Sequence, residues 1–282
     1  MIREAVKGDE ALIEAYLAQH FATAMFMRGN LRDFGIGNTE APYGMRFFIR
    51  ETAEITGIGG VGNGGAVMLQ TSRDPAEMVA HMRAALPAGF KPTITTGAPE
   101  MVAAIIKGFG MVDAPTQMND TAPLFLLPKA AHIPQDMAGF TLRPSTMEDL
   151  PLLAAWNHAY SLEVHGCADN EESRAETRAA AEYTISRGQQ RLLLHKGEVV
   201  AQTSFTAAMQ DEVQVGGVYT PSALRGQGFA RRAVAAHLAE AFDMGAKNAI
   251  LFSASDSASK AYRAIGFKQI GHYQIVRFGG HT

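Results

Sequence analysis

A strand-like apolar stretch in the second half of the chain runs directly into a turn rich in glycine and arginine. The residues are Val218-Tyr219-Thr220-Pro221-Ser222-Ala223-Leu224-Arg225-Gly226-Gln227-Gly228-Phe229-Ala230-Arg231-Arg232. The two glycines let the backbone approach a ligand, and a following helix offers unpaired N–H groups and the positive end of its dipole. The three arginines add positive charge beside that turn. The pattern therefore predicts a pyrophosphate site, and its structural alternative is an ordinary glycine turn before a solvated basic helix.

Two blocks of sequence carry a family resemblance. The first is Arg225-x-x-Gly228-x-Ala230, and the second is Ile250-Leu251-Phe252 followed by Ser255-x-x-Ala258-x-x-x-Tyr262-x-x-x-Gly266-Phe267. They resemble the acyl-CoA-binding signature and a later block of the GNAT N-acetyltransferase superfamily. The resemblance covers residues 140–278 and implies an α/β (α+β mixed-sheet) acyl-CoA N-acyltransferase fold in the C-terminal half of the chain.

The resemblance also implies which residues bind the acyl donor, acetyl-CoA. Backbone groups of the strand before the turn would hold the acyl group and pantetheine, and the amides of the turn would hold the pyrophosphate, with Arg225 beside them. The strand residues are Val218, Tyr219 and Thr220, and the turn residues are Gly226, Gln227, Gly228, Phe229, Ala230 and Arg231. Ser255 stands where the family commonly has an asparagine, and we keep it as a candidate pantetheine contact. Ser222 stands where the family commonly has the proline that is here at position 221.

Acetyl transfer to an amine releases a thiol. A thiol has a pKa of about 8.5, so its thiolate leaves readily, and a proton donor adds roughly 10²- to 10⁴-fold to the rate. The resemblance places Tyr262 near the thioester sulfur and implies that its hydroxyl is that donor. The alternative is a core tyrosine on the helix that ends at Gly266.

The accepting amine must lose a proton before it attacks, because an alkyl ammonium has a pKa near about 10. Trp156, Tyr160 and Glu163 have the spacing of one helical face, which would place a carboxylate beside two aromatic rings. Glu163 is therefore the candidate general base, and the alternative is that the aromatic pair belongs to the core. His165 and Glu212 are weaker candidates for the same role.

The rest of the chain must fold into elements that position these residues. The length of 282 residues suggests two domains or one large one. The composition, with 47% hydrophobic and 19% charged residues, is that of a globular protein. A net charge of −3 gives no overall attraction to nucleic acid or to acidic membranes. The single cysteine, Cys167, excludes an intramolecular disulfide, and a charged N-terminus without a long apolar run favours a cytoplasmic location.

Hydrophobic periodicity predicts strands alternating with helices, which indicates a mixed sheet covered by helices. One predicted helix begins after Asp9. The other predicted helices are 75–86, 99–109, 146–160, 171–187, 226–244 and 256–265. The predicted strands are 45–50, 53–59, 66–71, 91–95, 140–143, 191–195, 199–207, 213–220, 248–253 and 267–278.

A proline-bearing stretch at 127–139 is the candidate linker between two domains. Residues 139–282 would form the acetyl-CoA-binding catalytic domain. Residues 1–130 follow a similar order of elements but contain no Arg-x-x-Gly-x-Gly/Ala turn. They are predicted to be a degenerate GNAT-like copy that does not bind CoA.

A second glycine-rich tract, Gly57 to Gly65, matches the dinucleotide-binding pattern G-x-G-x-x-G twice. That pattern must open a helix, and an apparent strand follows here, so NAD binding is set aside. The nine histidines contain no HExxH motif, and no metal site is expected.

The sequence thus predicts direct transfer of an acetyl group from acetyl-CoA to a primary amine on a small molecule or peptide. The rival hypothesis is a non-catalytic acyl-CoA-binding sensor or scaffold. No nucleic acid, membrane or metal partner is expected, and a homodimer is compatible with the sequence. The identity of the amine is open at this point.

Overall fold

A computed structural model describes residues 1–279, except for the side chains of Val164 and His165. The helices are α1 (Glu10–Gln19), α2 (Phe21–Phe34), α3 (Pro75–Ala84), α4 (Pro99–Gly108), α5 (Leu150–His165), α6 (Glu171–Ser186), α7 (Phe229–Asp243) and α8 (Asp256–Arg263). The strands are β1 (Ile2–Glu4), β2 (Met45–Glu51), β3 (Ile55–Gly62), β4 (Ala66–Thr71), β5 (Ile94–Gly97), β6 (Thr116–Pro128), β7 (Phe140–Pro144), β8 (Gln190–His195), β9 (Glu198–Ala208), β10 (Glu212–Tyr219), β11 (Asn248–Phe252) and β12 (Lys268–Phe278). The mixed α/β class that the sequence predicts is confirmed.

The chain divides into two compact units, and each contains strands and helices. Unit 1 comprises Met1–Ala122 with Gly271–Thr282, and unit 2 comprises Pro123–Ile270. The strand order is β1-β2-β3-β4-β5-β12 in unit 1 and β6-β11-β10-β9-β8-β7 in unit 2. Unit 2 therefore holds both sequence blocks of the predicted site.

One strand in the strand order of each unit comes from the opposite half of the chain. In unit 1, β12 pairs antiparallel with β5, and Val276 lies opposite Thr95. In unit 2, β6 pairs antiparallel with β11, and Leu126 lies opposite Ile250. This division differs from the sequence-based boundaries 1–130 and 139–282. The alternation of residues within a strand predicts which face is buried, but it does not predict which other strand is its neighbour.

Three elements are absent from the sequence-based prediction, β1, α2 and β6. His20, at φ −115° and ψ 26°, separates α1 from α2. The α2 sequence includes Gly29 and Asn30, which have weak helix propensity. The first half of β6 is polar and contains an Asn-Asp pair of low strand propensity, so it resembles a loop.

The glycine-rich tract of unit 1 lies mostly inside β3, which continues to Gly62, beyond the predicted strand end at residue 59. A Cβ at Gly59 would lie 2.4 Å from the sulfur of Met82, and one at Gly60 would lie 2.4 Å from the sulfur of Met45. Glycine is therefore required for the close packing of methionines against β3. The next element is β4, a strand, so the tract lacks the helix that a dinucleotide fingerprint needs.

The core of unit 2 joins α7 to the middle of its sheet. Val234, Leu238 and Phe242 recur at intervals of four residues on α7 and are buried in one cluster with Val215 and Leu251. This packing fixes α7 behind β10 and β11, so the start of the helix lies at the end of β10. None of the helices within residues 1–279 has both the length and the apolar character needed to cross a membrane.

One buried histidine in this core makes stability depend on pH. The His237 ring stacks on Phe205 with 3.8 Å between centroids, and burial lowers its pKa to about 3. Unfolding exposes the ring, which then binds a proton below its ordinary pKa of about 6.5. As the pH falls from about 6.5 towards 3, the free energy of unfolding therefore decreases, by at most about 1.4 kcal/mol per pH unit from this group.

His237→Phe keeps an aromatic ring against Phe205 and removes the titration. Urea unfolding at pH 7 and pH 5 should show a smaller loss of stability in this variant than in the wild type. The exposed His272 provides the matched control, and His272→Gln should keep the wild-type slope. Equal slopes in His237→Phe and wild type would contradict the assignment.

Candidate functional site

β10 extends beyond its pairing with β11, and the space along this unpaired edge of β10 is called the cleft. The two parallel strands pair from Glu212 opposite Asn248 to Val215 opposite Leu251, which is the last pair between them in the described chain. On its other side β10 remains paired with β9 as far as Tyr219. The last four residues of β10 therefore have one ladder edge turned towards the cleft.

A β-bulge shapes this part of β10. Gly216 pairs with Ser204 and Tyr219 with Gln202, so two residues of β10 lie opposite one residue of β9. Gly217 takes a φ of 57°, in the left-handed region that favours glycine. The sequence analysis missed the bulge, although paired glycines inside a strand are a recognised signal for one.

Two buried side chains of β9 hold the bulge in place. The Ser204 hydroxyl donates to the Gly216 carbonyl at 3.0 Å, and the Gln202 amide donates to the Gly217 carbonyl at 3.1 Å. The same Gln202 nitrogen donates to the Asn157 side chain on α5 at 3.1 Å. Because these carbonyls are occupied on the β9 side, the bulge has a fixed shape beside the cleft.

The predicted pyrophosphate turn follows β10 and ends at α7. Gly226 and Gly228 have φ of 80° and 76°, and α7 begins at Phe229 rather than at Gly226 as the sequence predicted. Left-handed residues cannot continue a right-handed helix, which explains the later start. The backbone N–H of Arg232 donates to the Gly228 carbonyl at 3.1 Å, so the amides of residues 229–231 precede the first helical bond and lack intrahelical acceptors.

The three arginines of the turn have different surroundings. The Arg232 guanidinium donates to the carbonyls of Asp136 and Gln227, each at 3.1 Å, and therefore links the turn to the segment around residue 136. The Arg231 Nε is buried without a hydrogen-bond partner among the described residues, and its Nη2 lies 3.4 Å from the position that a Cβ on Gly228 would take. Arg231 and Arg232 thus both place positive charge beside Gly228.

Arg225 pairs with the predicted base, Glu163. Its Nη1 and Nη2 donate to the two Glu163 carboxylate oxygens at 2.7 and 2.6 Å, and its Nε donates to the Thr220 carbonyl at 3.0 Å. The hydrogen bond from Arg225 lowers the pKa of the Glu163 carboxyl. A carboxylate held in this way is a weak proton acceptor at neutral pH.

The aromatic residues predicted to share a face with Glu163 contact the end of β10. The Trp156 and Tyr160 rings lie 5.7 and 6.3 Å from the Tyr219 ring, measured between centroids. Val218 is half-buried, and Tyr219 and Thr220 are buried. The structure therefore brings the α5 face, the three strand residues and the turn together at one end of the cleft.

Tyr262 lies on α8 with its ring 6.0 Å from that of Phe267. Burial raises the pKa of its hydroxyl well above the ordinary range, and the nearby Tyr160 raises it further. The hydroxyl therefore stays protonated throughout the physiological range and can act as a donor.

The other candidates have separate positions. The Ser255 hydroxyl accepts a hydrogen bond from the Ala258 N–H at 3.2 Å and so caps α8. Glu212 begins β10, seven residues before Tyr219, which is roughly 23 Å at the usual strand rise, so it lies far from the cleft. The His165 side chain is outside the described residues. Among the groups that the structure describes, no three His, Cys, Asp or Glu side chains cluster in a way that could hold a metal ion.

Comparison with known proteins supports the family assignment of unit 2. Residues 152–267, less than half of the chain, match the model of the Acetyltransferase (GNAT) family. No curated protein matches the chain in sequence.

Several solved structures have a similar fold over nearly the whole chain. A GCN5-related N-acetyltransferase from Kribbella flavida is 18% identical, with 94% of this chain and 97% of that chain covered and a TM-score of 0.58. A tandem GNAT protein from the clavulanic acid biosynthesis pathway is 15% identical, with 100% and 99% covered and a TM-score of 0.56. A GNAT-family acetyltransferase from Colwellia psychrerythraea is 14% identical, with 99% and 100% covered and a TM-score of 0.54. At these identities the likeness shows the fold alone.

Proposed function

Residues 152–267 form a domain of the GNAT acetyltransferase family, and from this premise we propose that the protein transfers an acetyl group from acetyl-CoA to a primary amine. The observation that carries the proposal is the opened end of β10 leading into a turn with unpaired amides. The β10 edge at Val218, Tyr219 and Thr220 suits an extended pantetheine chain. The amides from Gly226 to Arg231 suit a pyrophosphate, because they lie in the turn before a helix N-terminus and in its first residues.

The proposed reaction is direct attack by the neutral amine on the thioester carbonyl. The nitrogen forms the new bond to the carbonyl carbon, and the carbon–sulfur bond breaks as the thiolate departs. The nitrogen releases one proton to water as the amide forms, and Tyr262 would stabilise the departing thiolate by donating a hydrogen bond to the sulfur. The raised pKa of Tyr262 supports this hydrogen-bonding role, because the hydroxyl keeps its proton beside a thiolate, whose conjugate acid has a pKa of only about 8.5.

One observation favours the second candidate function, a non-catalytic acyl-CoA sensor. The predicted base, Glu163, is held by Arg225, so it is not available as a free carboxylate. A protein that kept the donor site without a base for the amine would bind acetyl-CoA and release little thiol.

We propose that unit 1 does not bind CoA. Its helix α3 begins after a strand, as α7 does, but the Asp74 carboxylate accepts a hydrogen bond from the Ala76 N–H at 2.9 Å. Pro75, the first residue of α3, has no N–H group. A helix start that already carries a carboxylate and lacks one amide disfavours a bound anion.

Binding and turnover measured on one preparation test both proposals. Calorimetry should give one acetyl-CoA per chain, and free thiol should appear with acetyl-CoA only when a suitable amine from a panel is added. Binding without amine-dependent thiol release would favour the sensor. Two acetyl-CoA molecules per chain would contradict the proposal for unit 1, and no binding would contradict the donor site.

A further inference from the structure

Glu163 and Arg225 join the end of α5 to the pyrophosphate turn through two short hydrogen bonds, at 2.7 and 2.6 Å. We propose that Glu163 is a positioning residue that holds the turn in its binding conformation by acting through Arg225. The inference rests on the proposed function, because it assumes that the turn binds the pyrophosphate of acetyl-CoA.

The Arg225 side chain points back across the turn instead of towards its amides. Its Nε donates to the Thr220 carbonyl at 3.0 Å, at the point where β10 ends, and its guanidinium lies 5.8 Å from the centre of the Tyr219 ring. The two Nη atoms that could take a phosphate in a bidentate fashion are directed at the Glu163 carboxylate. The hydrogen bond from Arg225 therefore joins the two ends of segment 220–225, and Glu163 fixes the orientation of the guanidinium.

The ion pair extends a contact that the same face of α5 already makes. Trp156 and Tyr160 pack on Tyr219, and Glu163 lies about one helical turn further along that face. The aromatic contacts hold α5 to the strand, and the ion pair continues this attachment to the turn itself. The turn is thus fixed on one side by α5 and on the other by Arg232, which donates to Gln227.

The charges of the pair support a positioning role. The hydrogen bond between them lowers the pKa of the Glu163 carboxyl and raises the pKa of the Arg225 guanidinium, so both groups are charged at neutral pH. Both side chains are about half exposed, with 48% and 43% of their surface accessible. Exposed ion pairs are screened by water, so the expected effect on binding is a change of a few-fold.

Glu163→Gln tests the proposal with two donors, acetyl-CoA and S-acetylpantetheine, which has no pyrophosphate. We expect the Kd and KM for acetyl-CoA to rise roughly two- to fivefold, within the usual range of such pairs. The kcat at saturation and the KM for S-acetylpantetheine should stay within about twofold of wild type. The only tryptophan, Trp156, lies 5.7 Å from Tyr219 and gives a fluorescence signal for binding that does not require turnover.

Glu182→Gln is the matched control, because it removes an exposed carboxylate from a surface pair with Arg178 on α6. It should leave the constants for both donors unchanged. A double-mutant cycle with Arg225→Gln adds a second check. If Glu163 acts through Arg225, then Glu163→Gln should have no further effect on acetyl-CoA binding once Arg225 has been replaced.

The outcomes separate the inference from the function on which it rests. A fall in kcat with both donors and a shifted pH profile would make Glu163 the general base and overturn the inference. An acetyl-CoA Kd in Glu163→Gln equal to that of Glu182→Gln would overturn it as well. A wild-type protein that does not bind acetyl-CoA would instead refute the proposed function, and the inference with it.

Discussion

Gly228→Val is expected to raise the Kd for acetyl-CoA by at least about 100-fold, which corresponds to about 2.7 kcal/mol. Gly228 has a φ of 76°, and left-handed backbone costs an L-residue roughly 1–2 kcal/mol. A Cβ there would lie 3.1 Å from the Arg232 Nη1, which is itself bonded to the Gln227 carbonyl. The substitution therefore distorts the turn and places methyl groups beside the amides of α7.

Gly188→Val supplies the control for backbone strain. Gly188 also has a positive φ, 66°, and a Cβ there would meet no atom within 4 Å. Both variants should lose thermal stability, and only Gly228→Val should lose acetyl-CoA binding by calorimetry. If the two variants bound acetyl-CoA equally well, the turn between β10 and α7 would not be the pyrophosphate site.

The features that the sequence predicted well are local ones. A glycine-bearing turn before a helix is encoded in a few consecutive residues from Arg225 to Ala230, so both the turn and its unpaired amides could be inferred. The cap of α3 is equally local, since the Asp74 carboxylate accepts a hydrogen bond from the N–H only two residues further along the chain. The start of α7 was placed three residues early, because the backbone conformations of Gly226 and Gly228 are not apparent from hydrophobic periodicity.

The features that the sequence could not predict depend on how distant elements pack. Glu163 and Arg225 are 62 positions apart, and their pairing requires α5 to lie against the end of β10. Each residue type suited a different role in isolation, a base and an anion contact. The pairing of β6 with β11 and of β12 with β5 is also a matter of neighbours, which the alternation within a strand does not specify.

Tyr262→Phe is expected to lower kcat for acetyl transfer at least tenfold, equivalent to about 1.4 kcal/mol in the activation free energy. The substitution removes one oxygen atom and keeps the ring that packs against Phe267. Affinity for acetyl-CoA should therefore stay within about twofold of wild type, because the loss is confined to the stage at which charge forms on sulfur. Steady-state kinetics with acetyl-CoA and the best amine of the panel, together with calorimetry, would measure both quantities.

The raised pKa of Tyr262 adds a second expectation for the same variant. Because the hydroxyl remains protonated well above neutral pH, its ionisation should produce no alkaline fall in wild-type kcat within the working range. Tyr262→Phe should then reduce kcat by a similar factor at pH 7 and pH 9. The exposed Tyr183 on α6 serves as the control, and Tyr183→Phe should keep wild-type turnover. Equal turnover in the wild type and Tyr262→Phe would leave this tyrosine with a packing role only, since its ring contacts survive the change.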